Sequence, residues 1–164
     1  MRTILALLFA LAFPATHAYD FTLETGLGHQ GELQLRAGPR FALSEHWSLD
    51  TGVSVVRYAN EHYNDGSAAG GSGYTFAADA VLLRALDLGG GFYLVAGTGP
   101  AVWGHARFGA QAHGHAWMFS NRIGVEWEAS PDTMIGFGAR HYSCLWCHPN
   151  SSIDFVGLGI ECHF

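Results

Sequence analysis

Apolar and polar residues exchange places at every second position along most of the chain beyond residue 18, and a period of two marks strands with two unlike faces. Phe21, Leu23, Thr25 and Leu27 share one face, and Asp20, Thr22, Glu24 and Gly26 the other. Leu33, Leu35 and Ala37 alternate with Glu32, Gln34 and Arg36. Trp47, Leu49, Thr51, Val53 and Val55 alternate with Ser48, Asp50, Gly52 and Ser54. Trp117, Phe119, Ile123, Val125 and Trp127, broken only by Asn121, alternate with Met118, Ser120, Arg122, Gly124 and Glu126. Ile135, Phe137 and Ala139 are set against Gly136, Gly138 and Arg140. The last segment sets Val156, Leu158, Ile160, Cys162 and Phe164 against Phe155, Gly157, Gly159, Glu161 and His163. Two middle segments, about Tyr74 to Leu83 and Phe92 to Trp103, are small or apolar on both faces, so the pattern leaves their phase open. Eight strands are predicted in all.

A soluble sandwich with its apolar face inward produces the same alternation, so the polar face has to discriminate. That face carries Gly and charges of both signs (Glu24, Glu32, Arg36, Asp50, Arg122, Glu126, Arg140 and Glu161), as the ion-paired lumen of a narrow barrel requires. Aromatic residues such as Trp117 and Trp127 cap strands in the manner of interfacial girdles. The connections near Asn60 to Ser72, Gly104 to His115 and Cys144 to Ile153 are long, whereas those near Pro39 to Glu45, Ala85 to Gly91 and Glu128 to Asp132 are shorter. Alternating lengths suit an all-β, eight-stranded antiparallel transmembrane β-barrel with both termini in the periplasm and its long, odd-numbered connections outside. Strand seven then rises toward the outer rim and strand eight descends from it.

Composition supports the membrane reading. The chain is 49% hydrophobic but only 13% charged, with 22 Gly, too few charges for an ordinary water-covered surface. A formal net charge of −6 argues against nucleic acid as a partner. The first 18 residues read as a secretory signal peptide: Arg2 supplies the positive start, Ile4 to Phe13 the apolar run, and Thr16-His17-Ala18 a small-residue site with removal expected after Ala18. The mature domain would be residues 19–164, ending on Phe164 in a terminal strand like those that outer-membrane assembly machinery recognises. The expected location is the bacterial cell outer membrane.

One cluster on the apolar face is chemically out of place. His141 and Ser143 continue the series of Ile135, Phe137 and Ala139, and Asp154 opens the series of Val156, Leu158 and Ile160. All three should therefore point toward lipid near the outer rim, within reach of one another as diagonal cross-strand neighbours. A hydroxyl, an imidazole and a carboxylate so arranged make an acyl-transfer site, with Ser as nucleophile, His as base and the carboxylate fixing the His tautomer. Headgroup-level polarity is the bland alternative for the same residues.

The segment Arg140-His141-Tyr142-Ser143, then Pro149-Asn150 and Ile153-Asp154 leading into the terminal strand, resembles the PagL family of outer-membrane lipid A 3-O-deacylases. The resemblance implies an eight-stranded barrel with a Ser hydrolase site on its outer wall, removing the ester-linked 3-hydroxyacyl chain at position 3 of lipid A. It implies Ser143 as nucleophile, His141 as general base, Asp154 as orienting carboxylate, and Asn150 as an oxyanion or substrate-positioning residue through its backbone amide. Lipopolysaccharide in the outer leaflet is the implied substrate and partner, with no cofactor and no metal, and a homodimer stays open. Cys144 stands where the family usually has Asn, and Asp154 where it commonly has Glu.

Other motifs weigh less. Cys144-Leu145-Trp146-Cys147-His148 matches the C-x-x-C-H pattern of haem attachment, but in a loop between strands a Cys144–Cys147 disulfide or free thiols fit better. His105, His113 and His115 lack ligands of defined spacing and read as surface residues. The competing function is a non-enzymatic small barrel, structural or adhesin-like, which gives no reason for the three polar residues to share one height on the wall.

Overall fold

The two-residue alternation closes into a cylinder. A computed structural model describes residues 19–29, 31–58, 61–62, 68–69, 73–104, 107–108, 111–112, 117–144 and 152–163. The expected signal peptide, His105, His113, His115, Cys147, Asn150 and Phe164 lie outside these residues. The barrel strands are β1 (Tyr19–Gly28), β2 (Leu33–Ala42), β3 (Trp47–Tyr58), β4 (Gly73–Gly89), β5 (Phe92–Trp103), β6 (Trp117–Ser130), β7 (Thr133–Ser143) and β8 (Ile153–His163). Each pairs antiparallel with its neighbours in chain order, and β1 pairs with β8 to seal the sheet. No edge strand is left exposed, as a spanning β structure demands. Two-residue ladders, Glu61–His62 with Ala68–Ala69 and Arg107–Phe108 with Gln111–Ala112, extend the second and third connections at the loop end.

At the opposite end the turns are tight. β4 runs six residues past the expected Leu83 and reaches β5 through Gly90 and Gly91 alone. Gly89, Gly90 and Gly91 all have positive φ (85, 66 and 79°), a conformation that a side chain would penalise. The expectation of long odd-numbered connections needs one correction. Only four residues separate β1 from β2, and the Gly31 N–H donates to the Gly28 carbonyl at 3.1 Å, so that this part of the loop end is low.

The structure settles the two undetermined phases. Thr75, Ala77, Asp79, Val81 and Leu83 of β4 are buried, as are Val95, Ala101 and Trp103 of β5. The outward series is the reverse of a soluble protein's: Val53, Phe76, Ile123, Phe137, Val156 and Leu158 are exposed side by side. Only hydrocarbon makes such a belt stable. Trp47, Phe92 and Trp127 rim it at the turn end, and Tyr74 and Trp117 at the loop end. Phe92 stacks on Trp127 with ring centroids 6.2 Å apart, and the Arg84 guanidinium sits 5.7 Å over the Trp47 ring.

The lumen has two zones. Its middle and turn end hold Arg36, Arg40, Arg122 and Arg140 paired with Glu24, Asp50, Asp79, Glu126 and Glu161. Asp79 is the hub: one carboxylate oxygen accepts from Arg36 Nε (3.0 Å) and Nη2 (2.8 Å), the other from Arg140 Nη1 (3.0 Å), Ser120 Oγ (3.1 Å) and the Tyr142 hydroxyl (3.1 Å). Its loop end instead holds an apolar cluster of Val56, Ala77, Ala101, Trp103, Met118, Tyr142, Ile153 and Phe155, beside the buried Glu32, Gln34, Ser54 and Thr75. The expectation of an ion-paired interior therefore describes only part of it.

Wall and lumen meet where strands approach most closely. A Cβ at Gly157 would fall on the Thr25 carbonyl oxygen, and one at Gly99 on that of Ala80. Gly157→Val should lower stability by roughly 1–3 kcal/mol, because the obstacle is backbone and cannot swing aside. A urea titration of the barrel refolded in lipid vesicles would register this as a lowered midpoint.

Candidate active site

The inward anchors of β7 and β8 decide what points outward. Arg140 donates to Glu24 (2.8 Å), Asp50 (3.3 Å) and Asp79 (3.0 Å), while Tyr142 is fully buried, accepts from Gln34 Nε2 (3.0 Å) and donates to Asp79. Trp103 meets the Tyr142 ring edge-on at 5.0 Å, and Phe155 does so at 6.2 Å. Side chains alternate along a strand, so fixing Arg140 and Tyr142 inside fixes His141 and Ser143 outside. Ile153 and Phe155, both buried, do the same for Asp154. The site thus rests on a lumen packed too tightly for these strands to rotate.

All three residues of the expected site lie on the outward wall at the loop end, where the sequence pattern puts them. The register makes His141 and Asp154 direct cross-strand partners, a closer relation than the diagonal one expected. His141 Nδ1 lies 2.6 Å from Asp154 Oδ1, with the two side chains 43% and 52% exposed. The other ring nitrogen, Nε2, has no hydrogen-bond partner among the described residues. Ser143 is the next outward residue of β7 and sits opposite Phe119 of β6. Among the described residues no hydrogen bond joins the Ser143 hydroxyl to the His141 ring. Cys144, directly after the Ser, is disulfide-bonded, whereas Cys162 is a free thiol on the outward series of β8.

The cross-strand ladder extends the site beyond the residues singled out from sequence. His141 is opposite Asn121 of β6, and Asn121 is opposite Thr98 of β5. Both point outward, and the Thr98 hydroxyl donates to Asn121 Oδ1 at 2.7 Å. One oblique rung of the lipid-facing wall therefore reads Asp154, His141, Asn121, Thr98. Asn121 was legible as the one break in an apolar series. Thr98 was not, since its strand had no determined phase.

The opposite end holds a separate polar group. Among the described residues, Asp20, Glu161 and His163 are the grouping with metal-ligand spacing. His163 Nδ1 lies 2.6 Å from Asp20 Oδ1, and Glu161 is ion-paired with Arg40 at 2.6 Å, so these groups serve one another at the turn end, far from Ser143.

The chain is similar to known proteins in sequence and in fold. A curated relative, the lipid A deacylase PagL of Bordetella bronchiseptica, is 30% identical over 101 residues. The aligned stretch covers 61% of this chain and 56% of that protein, little more than half of the relative's length. The crystal structure of the outer membrane enzyme PagL superposes with a TM-score of 0.57 at 20% identity, covering 87% of this chain and 98% of that one. A de novo designed transmembrane β-barrel superposes with a TM-score of 0.62 at 10% identity, covering 92% of this chain and 98% of the design. Likeness at 10 to 20% identity shows the fold alone, so membership has to rest on sequence. Residues 26–163 match the family described as Lipid A 3-O-deacylase (PagL), and the chain belongs to that family.

Proposed function

We propose that this chain is a lipid A 3-O-deacylase of the bacterial outer membrane, a serine esterase that hydrolyses the ester-linked 3-hydroxyacyl chain at position 3. The observation that carries the reading is the 2.6 Å contact between His141 and Asp154 on a lipid-facing wall, with Ser143 next on the same face. A structural or adhesin-like barrel has no use for that pair, and polar groups facing lipid are costly to keep without a purpose.

The chemistry follows from the atoms. Asp154 accepts the Nδ1 proton of His141, which fixes the tautomer and leaves Nε2 as the base. Nε2 takes the proton of Ser143 as its Oγ attacks the ester carbonyl carbon. The bond to the sugar oxygen then breaks, and that oxygen leaves with the proton from His141. Water, activated by the same imidazole, releases the fatty acid from Ser143. The wall of Phe137, Leu158 and their neighbours holds the acyl chain by burial of apolar surface, so the substrate never leaves the leaflet. Asn150 is assigned to the oxyanion through its backbone amide, and residues 1–18 to the export signal removed on the way.

Expression in a Gram-negative host whose lipid A keeps this chain should shift lipid A down by the mass of one 3-hydroxyacyl group. Unchanged lipid A from an assembled barrel would end the proposal. Asp154→Asn should keep the geometry yet cut turnover by about 10²–10⁴, since the amide can present N–H to Nδ1 and favour the wrong tautomer. Single-turnover hydrolysis in detergent micelles measures it.

A further inference from the structure

The Thr98–Asn121 pair has no part in the Ser, His and Asp chemistry, yet it lies on the same rung, one strand away from His141. We infer that Asn121, held by Thr98, is the residue that recognises a hydroxyl on the acyl chain close to the scissile ester, and so makes the enzyme selective for hydroxylated acyl groups. This inference rests on the esterase reading above and extends it to the substrate's acyl chain.

Three observations support it. The first is direction. Barrel strands tilt, so a hydrogen-bonded rung climbs or falls as it passes round the wall. From Ala139 the rung through Ile123, Ala96 and Arg84 ends at Trp47, the first residue of β3 at the turn end. Steps from β7 toward β5 therefore lead down into the bilayer, and Asn121 and Thr98 lie deeper than His141 and Asp154. The same rung continues from Thr98 to Leu82 and Leu49, which are apolar. An acyl chain whose ester sits at Ser143 and whose tail follows this descent passes Asn121 first and reaches hydrocarbon contacts afterwards.

The second is hydrogen-bonding capacity. Asn121 Oδ1 accepts from Thr98 Oγ1, which orients the amide and leaves its nitrogen without an acceptor among the described residues. A plain alkyl chain offers that N–H nothing, whereas a hydroxyl oxygen satisfies it, and the hydroxyl proton can turn to the spare lone pairs of Thr98. Leaving polar groups against hydrocarbon costs free energy, so the site discriminates against the chain lacking the hydroxyl. The third is reach. Asn121 is two residues beyond Phe119, the partner of Ser143, which makes Asn121 and Ser143 diagonal neighbours about 7–8 Å apart. A hydroxyl on the second carbon beyond the carbonyl falls within that span.

The test compares purified, refolded barrels on two lipid A esters in mixed micelles, one with a 3-hydroxyacyl chain at position 3 and one with the unsubstituted chain of equal length. The expected result is that the unmodified barrel prefers the hydroxylated ester by about tenfold in kcat/KM, the worth of one desolvated hydrogen bond. Asn121→Leu should bring that ratio close to one by slowing the hydroxylated ester alone, and Thr98→Val should lower it part of the way. Both changes put apolar groups on a lipid-facing surface, so assembly is retained, and heat-dependent gel migration checks it. A ratio unchanged in Asn121→Leu, or an equal loss on both esters, would overturn the inference while leaving the esterase intact. An unmodified barrel inactive on both esters would overturn the esterase reading and this inference together.

Discussion

Ser143→Ala should abolish release of the 3-hydroxyacyl chain while leaving the barrel as stable as before. Ser143 is on the outward face, and no hydrogen bond within the described residues depends on its hydroxyl, so its removal costs the fold almost nothing. In the proposed mechanism its Oγ forms the acyl bond, and without it the His141–Asp154 pair has no nucleophile to activate. Loss of a triad nucleophile typically costs about 10⁴–10⁶ in turnover. Lipid A from cells carrying this variant should be indistinguishable by mass from that of cells without the barrel. A residual mass shift comparable with the unmodified protein would remove Ser143 from the mechanism.

The largest structural effect is expected inside the lumen at Asp79. Asp79→Ala deletes the acceptor shared by Arg36, Arg140, Ser120 and Tyr142, all of them buried. Arg36 keeps Asp50 at 3.2 Å and Arg140 keeps Glu24 at 2.8 Å, but two guanidinium groups then share an interior with one carboxylate fewer. Removing one partner from a buried ionic network costs about 3–5 kcal/mol, through the charge left uncompensated. Urea unfolding in vesicles should show that loss. Because Arg140 and Tyr142 flank His141, the same variant should also lower deacylase activity through a loosened β7. Asp79→Asn, which keeps the shape and hydrogen-bonding reach, should fall between the two. A normal midpoint for Asp79→Ala would mean that the lumen is held by packing alone.

Sequence reading went far for the wall. On β1, β2, β3, β6, β7 and β8 the period of two alone assigned inside and outside, because lipid and lumen make opposite demands and successive side chains must alternate between them. Those assignments placed His141, Ser143 and Asp154 toward lipid, and the structure has them there. It failed where the two environments demand the same residues. Inward Ala77, Val81, Leu83, Val95 and Ala101 are as small or apolar as the outward residues of the same strands, so that Asp79 alone broke the likeness of the two faces. Thr98 lay hidden in that ambiguity, and with it the lower half of the polar rung.

Taken alone, the chain determined the number of strands, the face of each outward residue on six of them and the end at which His141, Ser143 and Asp154 gather, because these depend on local periodicity and on loop length. Only the closed tertiary structure decided that His141 meets Asp154 directly, that Asn121 and Thr98 continue their rung, and that Asp79 ties four strands together across the interior. Periodicity says which way a side chain points. Which residue lies beside it follows from the register between strands, and that is set by closure of the whole sheet around a lumen of fixed volume.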